Sequence, residues 1–440
     1  LTLASIFGLA AIVITGIFFN RHFFYVLFLT KPFIDMTVNE TVVGDLNALV
    51  LSGAFICIIV FIKYLNKPPS MPVYNEGLIW TFILLQIITF FFAFTTGNKG
   101  LFVGVKVFIK LISAYVIYFV AAIEIMQDMQ KRNKFFKLIW ITTLIAGVIT
   151  VLIFVLGVSN TDTTKGIVRY NGLYNDPGTP SYLSIVCLLF ANLYYETSKE
   201  KRNLFYNILY YGTFTVTAIL LVITITKSAL IMFVLYILLW YGIYKRKLFL
   251  IAPTMIISIA LSFSMSDDLN TRFANEKNYV DSGGDADAAR SVGTGRVNRW
   301  ETLFDIYFNE YTLMNQLVGS AKNYMAHNQY IAYLMQVGII GLSIFLLFIF
   351  RFVNKLYSIY RLTKNPTVFA ALSLLLVYMV YGLTGHPFDY TTLLWYLMIL
   401  LAIINVYDKS LTEKKYKLNA ELLKRNNPND SASTINLQNQ

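Results

Sequence analysis

The chain has 440 residues, of which 57% are hydrophobic, 16% aromatic and only 14% charged. So little charge, with a mean hydropathy of +0.59, excludes an ordinary water-soluble domain and indicates an integral membrane protein. The net charge of +12 sits mostly in short loops between apolar runs, which points to membrane topology and away from nucleic acid.

Apolar runs of membrane length recur near 1–19, 43–64, 76–95, 102–126, 135–157, 179–195, 204–224, 226–244, 247–265, 329–351, 367–385 and 389–407. They predict about 12 transmembrane helices. A shorter run at 23–35, ended by Lys31-Pro32, is either a thirteenth span or a re-entrant segment. Lipid leaves the backbone no partners outside the chain, and nothing alternates like barrel strands, so the spans must be helices. The expected fold is an all-α integral membrane protein with one long, partly helical extracytoplasmic loop. Residues 1–265 form the first block of membrane helices, 266–326 the loop, and 327–407 the C-terminal membrane helices. Residues 408–440 turn polar and read as a disordered cytoplasmic tail. No small-residue cleavage site follows 1–19, so a removable signal peptide is not expected. Cys57 and Cys187 lie inside apolar spans and imply no disulfide framework.

Lys and Arg gather in alternate loops: Lys63/Lys67, Lys131/Arg132/Lys134, Lys199/Lys201/Arg202, Lys245/Arg246/Lys247, Arg351/Lys355/Arg361/Lys364 and the tail. The positive-inside rule puts these in the cytoplasm. Loops 158–178, 266–326 and His386-Pro387-Phe388-Asp389 then face outward. The side of the N-terminus depends on whether 23–35 crosses.

Several cations break this pattern. Lys106 and Lys110 share one helix face inside an apolar span. Intramembrane charge is costly and marks a cavity or a partner, although Lys106 is also placed to snorkel outward. Arg169 lies in the outward segment before the span at 179–195, and Lys227 lies at the outward junction of two spans. The loop 266–326 opens with an acidic, Gly-containing stretch whose Asp spacing does not match an EF-hand. Arg290, Arg296 and Arg299 follow and lead into Trp300, Leu303, Phe304, Tyr307 and Phe308 at helical spacing. That helix is expected on the membrane–water boundary with its aromatics toward lipid. The arginines either pair with acids such as Glu301 and Asp305 or present their donor forks to phosphate.

His327, one of three histidines, opens the next span. Outward cations together with an imidazole suit a lipid-linked, polyanionic substrate. The cations would hold a pyrophosphate and stabilise it as a leaving group, while His327 takes a proton from an attacking sugar hydroxyl. No carboxylate-rich metal cluster, GxGxxG, P-loop, CxxC pair or HExxH accompanies them.

The run His327-Asn328, nine residues, then Gly338-Ile339-Ile340-Gly341 resembles the signature of bacterial O-antigen ligases and the related O-antigen and capsule polymerases. Gly319, Trp300 and the arginine-rich entry agree with it. So do Arg169 with Gly172 and Asn175-Asp176-Pro177, and Thr226-Lys227-Ser228, where Lys stands in place of the usual Arg. The likeness is specific over roughly 165–345. It implies a metal-independent glycosyltransferase without cofactors that uses an undecaprenyl-pyrophosphate-linked glycan in the bacterial inner membrane, with its site facing the periplasm. It assigns His327 as base and Arg169, Lys227 and Arg296 or Arg299 to the pyrophosphate or glycan. Arg290, Lys106, Lys110 and Asn328 are further substrate-binding candidates. A single inverting displacement is expected. The acceptor is a second lipid-linked repeat unit in a polymerase, the reading favoured by the aromatic, Lys/Asn/Ile-rich composition, or lipid A core in a ligase. A flippase for the same lipids is the remaining alternative, but neither internal repeats nor broken midplane helices support it.

Overall fold

The computed structural model describes residues 2–18, 22–36, 41–43, 46–65, 73–95, 101–158, 160–164, 167–174, 176–198, 204–224, 226–247, 296–321, 326–388 and 391–407. The long elements are all helices, as a backbone in lipid requires. In chain order they are α1 (Thr2–Phe18), α2 (Phe23–Asp35), α3 (Ala48–Leu65), α4 (Glu76–Thr95), α5 (Leu101–Val120), α6 (Met129–Val155), α7 (Gly178–Thr197), α8 (Leu204–Thr224) and α9 (Lys227–Ile237). After the undescribed stretch come α10 (Arg296–Asp305), α11 (Leu313–Val318), α12 (Gln329–Thr363), α13 (Pro366–Tyr381) and α14 (Thr391–Leu401). π-helical turns carry α5, α9 and α10 on to Ile125, Tyr244 and Glu310. Among the described residues, five stretches are long and apolar enough to cross a membrane, and shorter apolar helices stand beside them. Most of the expected span 247–265, the part of the loop that holds Arg290, and the tail 408–440 lie outside the described residues.

Two antiparallel hairpins depart from the purely helical expectation: β1 (Thr41–Val43) with β2 (Leu46–Asn47), and β3 (Asn160–Thr164) with β4 (Ile167–Gly172). They occupy polar connections, where strands of two to six residues are too short to leave a period-2 signal.

The helices pack in sequence, α6 along α7 and α7 along α8, while α12 lies against α4 and α13. Large apolar side chains such as Phe61, Phe91, Leu152, Phe205 and Phe350 remain exposed on the outside of the bundle, as lipid-facing positions do. The cation-rich connections meet at one end. There Lys63 Nζ pairs with Glu124 Oε1 at 2.6 Å, Lys245 pairs with Glu196, and Asn133 donates to the Thr197 carbonyl at 3.0 Å.

α2 is buried within this bundle. Near its start Phe24 stacks on Phe135, close to the beginning of α6, at 5.3 Å between centroids. At its end Asp35 accepts from Thr392 at the start of α14, at 3.1 Å. The helix has the bounds of the expected run 23–35 and includes Lys31-Pro32 within its last turns. Proline removes one backbone donor and frees the carbonyl four residues back, and the Thr142 hydroxyl reaches that Phe28 carbonyl at 3.4 Å. Lys31 Nζ lies 2.9 Å from both oxygens of Asp35, and both residues are buried.

α12 departs from expectation in length. It is broken at Gly338, and the uninterrupted part from 339 to 363 alone corresponds to about 37 Å at ~1.5 Å per residue, beyond the ~30 Å of a hydrocarbon core. Arg351, Lys355 and Arg361, expected in a loop, therefore ride on the protruding turns of the helix.

Candidate functional site

The site is assembled around the chain that enters α12. On α10, Arg296, Trp300, Leu303 and Tyr307 fall at spacings that place them on one helix face. Leu303 and Tyr307 are buried against Ala326, Ile331, Ala332 and Met335. Trp300 Nε1 donates to the Ala326 carbonyl at 2.7 Å, which pins the arginine-bearing helix to the residue just before His327. The expected lipid-facing aromatic face is thus divided. Trp300, Leu303 and Tyr307 turn inward, because the protein offers them a partner surface. Phe304 and Phe308 remain exposed and stack on each other with centroids 6.4 Å apart.

A break in α12 completes the support. Gly338 adopts φ 66° and ψ −174° inside the helix, so the carbonyls of the preceding turn lose their usual partners. The strand of chain after α11 supplies replacements: Ser320 N donates to the Met335 carbonyl at 3.1 Å and Ala321 N to the Gln336 carbonyl at 3.0 Å. This docking brings two backbones into contact. A Cβ on Gly319, at φ 86°, would stand 2.1 Å from the Gln336 carbonyl oxygen, and one on Gly338 would stand 2.3 Å from that of Leu317. Thr89 on α4 also donates to the Val318 carbonyl at 2.7 Å.

His327 itself has φ 48°, a conformation unfavourable for most L-residues but more frequent for histidine than for bulky ones. Asn328 caps α12, its Oδ1 accepting from Tyr330 N at 3.0 Å and Ile331 N at 3.1 Å. Its amide also donates to the Leu383 carbonyl at 3.3 Å. Asn328, a substrate-binding candidate by sequence, is therefore occupied in capping and tethering. His327 is exposed as a residue. Partial enclosure of its imidazole, then Arg296, His386 and Arg299, lower its pKa from the ordinary value. The neutral, proton-accepting form is favoured.

Arg296 is the most unusual group here. Its Nε is buried and has no hydrogen-bond partner among the described residues. Burial holds its pKa below the ordinary value, and the titratable groups beside it are the phenols of Tyr182 and Tyr381. The expected alternative of pairing with Glu301 or Asp305 is not realised for Arg296, and Asp305 accepts from Asn309 at 2.6 Å instead. The rings of Tyr182 and Tyr381 lie 4.4 Å apart between centroids. The Tyr182 hydroxyl shares a hydrogen bond of 2.6 Å with Ser228. Ser228 follows Lys227, the half-buried first residue of α9. Hence α7, α9, α10, α12 and α13 converge here, and Arg296, Arg299, His327 and the start of α9 come together from distant parts of the sequence.

Other candidates are positioned by other elements. Arg169 is half-buried on β4, a strand placed by α6, α7 and α8. Gly172 at the end of that strand has φ 63° and approaches Thr150 closely. Asp176 uses one carboxylate oxygen to accept from Gly178 N at 2.8 Å and Thr179 N at 3.0 Å, so it secures the start of α7. Lys106 and Lys110 are half-buried on α5, which packs on α3, α4 and α14. Sequence reasoning passed over His386, whose ring lies 6.4 Å from that of His327. The available signal was its rarity and its place in a loop assigned to the same side. Tyr182 and Tyr381 carried no such signal among 30 tyrosines.

No curated protein matches the chain. Residues 212–346 match the family model described as O-antigen ligase, a segment that includes Lys227, Arg296, Arg299, His327 and both helix glycines. Over that segment the chain is similar to the O-antigen ligase family.

Proposed function

We propose that this protein transfers a glycan from undecaprenyl pyrophosphate to an acceptor hydroxyl at the outer face of the bacterial cytoplasmic membrane, as a polymerase of surface polysaccharide. The observation that carries this reading is the Arg296 guanidinium, partly desolvated beside His327 with no carboxylate paired to it among the described residues. A buried donor of this kind is completed by an anionic ligand. In the proposed reaction His327 takes the proton of the acceptor hydroxyl. The hydroxyl oxygen bonds to the anomeric carbon as the bond from that carbon to the pyrophosphate oxygen breaks. The electron pair leaves on pyrophosphate, where Arg296, Arg299 and Lys227 hold the charge without a metal ion. Arg169, Lys106 and Lys110 are assigned to the wider path of the lipid-linked donor.

The cation-rich end of the bundle is assigned to the cytoplasm by the positive-inside rule. Alternating from that end and counting the run at 247–265 as a span, we infer that His327 lies outside, whichever way α2 runs. The test uses purified protein with a lipid-linked repeat unit, with or without lipid A core. Elongation of the repeat unit identifies a polymerase, whereas transfer only when core is present identifies a ligase. His327→Ala is expected to abolish transfer at unchanged protein level. Arg296→Lys is expected to raise the donor KM about tenfold or more, the equivalent of ~1.4 kcal/mol, and excess EDTA should leave the rate unchanged. A surviving rate in His327→Ala would remove the base from the scheme.

A further inference from the structure

His386 lies in the turn between α13 and α14, far from His327 in sequence, yet the residues next to His327 hold that turn in place. Gln329 N donates to the Gly382 carbonyl at 2.7 Å, and Gln329 Oε1 accepts from Phe388 N at 3.2 Å. Asn328 Nδ2 donates to the Leu383 carbonyl at 3.3 Å. Gln329 is wholly buried, and a buried amide is costly unless its bonds are made, so this attachment fixes one geometry. The triplet His327-Asn328-Gln329 therefore carries one imidazole and clamps the turn that carries another. The two rings stand with centroids 6.4 Å apart and planes inclined by 39°. They do not stack, and a centroid separation of 6.4 Å is of the size at which one oxygen atom hydrogen-bonds to both imidazoles when a nitrogen of each faces it.

We propose that His386 is the second imidazole of the transfer site and binds the acceptor hydroxyl from the side opposite His327. This inference rests on the reading of His327 as base. An N–H of His386 donates to the hydroxyl oxygen and keeps its proton, while the hydroxyl proton passes to His327. The remaining lone pair of the oxygen is thereby aimed at the anomeric carbon, where the glycosidic bond forms as the pyrophosphate departs with its electron pair. Among the described residues, the charged or titratable groups around His327 are Arg296 and Arg299 from α10 and His386 from the turn. Tyr182 of α7 and Tyr381 of α13 lie beyond, around Arg296.

The test compares wild type, His327→Ala, His386→Ala and His386→Gln as purified full-length proteins, using a polyprenyl-pyrophosphate-linked repeat unit as donor and acceptor. Equal melting temperatures establish that the variants are folded. His386→Ala is expected to lower kcat by roughly tenfold to a hundredfold with donor KM unchanged. His386→Gln, which keeps a hydrogen-bond donor, recovers part of that loss. In both variants the acidic limb of kcat/KM moves to higher pH, because a neighbour that lowers the pKa of His327 is gone. An unchanged kcat and limb in His386→Ala overturns the proposal, as does a loss of kcat with neither limb movement nor recovery by Gln. Transfer retained by His327→Ala would instead refute the parent reading, an outcome measured on a different variant.

Discussion

At His327 the backbone and the chemistry pull in opposite directions. A φ of 48° costs an L-residue about 1 kcal/mol, a cost that surrounding contacts must hold in place. Those contacts are visible on both sides: Trp300 grips the preceding carbonyl, and Asn328 caps the following helix. If the conformation serves to present the imidazole, stability and activity should separate. His327→Gly and His327→Ala are both expected to be inactive, but the glycine variant should be the more stable by about 1 kcal/mol. Thermal unfolding of the detergent-solubilised variants measures this, and equal stability would mean that the backbone relaxes once the imidazole is removed. The wild-type pH profile offers a second check at the same residue. Enclosure, Arg296, His386 and Arg299 all lower the pKa of His327. The acidic limb of kcat/KM, where the base becomes protonated, should therefore lie below the ~6.5 of an ordinary histidine. A limb above that value would place the titrating base elsewhere.

Three glycines of one helix-and-loop unit play different parts. Gly319 and Gly338 combine positive φ with a main-chain neighbour inside 2.4 Å of a would-be Cβ, so an added methyl group meets atoms that cannot rotate away. Gly341 carries no positive φ and meets Cγ2 and Cβ of Val337 at 2.4 and 2.5 Å, so relief takes a small shift within one helix rather than the parting of two docked backbones. The expected order of damage follows from this contrast. Gly319→Ala and Gly338→Ala should undock the chain after α11 from the break in α12, at a cost beyond the ~0.5–3 kcal/mol of ordinary substitutions. Gly341→Ala should fall within that range. Protein yield and protease sensitivity of the 311–321 segment would report the undocking. A Gly338→Ala variant as stable as Gly341→Ala would show that α12 can run straight through without loss.

Across the whole molecule, the sequence located spans where hydrophobicity ends abruptly. The runs read as 76–95 and 204–224 coincide with α4 and α8, because polar residues bound them on both sides. Tertiary contacts were not legible: past Pro32, α2 is held by Asp35 accepting from Thr392 on α14 and by its pair with Lys31. The break at Gly338 was equally hidden, since a glycine in an apolar run looks the same whether the helix bends or not. For the site, the histidine and arginines were readable as chemistry, whereas the nearness of His386 depends on hydrogen bonds from Gln329 that no local pattern reveals. The charges of α2 follow the same logic. Lys31 looked like a terminator, yet its ammonium is buried against Asp35 and lies 4.8 Å from the Trp395 ring centroid on α14. Removing one partner leaves the other charge in an apolar interior, which typically costs about 3–5 kcal/mol, while replacing both with apolar groups is often nearly neutral. Lys31→Met and Asp35→Leu should therefore each destabilise the purified protein strongly, and the double variant should recover most of the loss. A double-mutant cycle from unfolding measurements reads the coupling directly. If each single variant lost less than about 1 kcal/mol, as a solvated pair would, water must reach the pair, and α2 would then line an aqueous path from the outer face instead of standing inside the bundle.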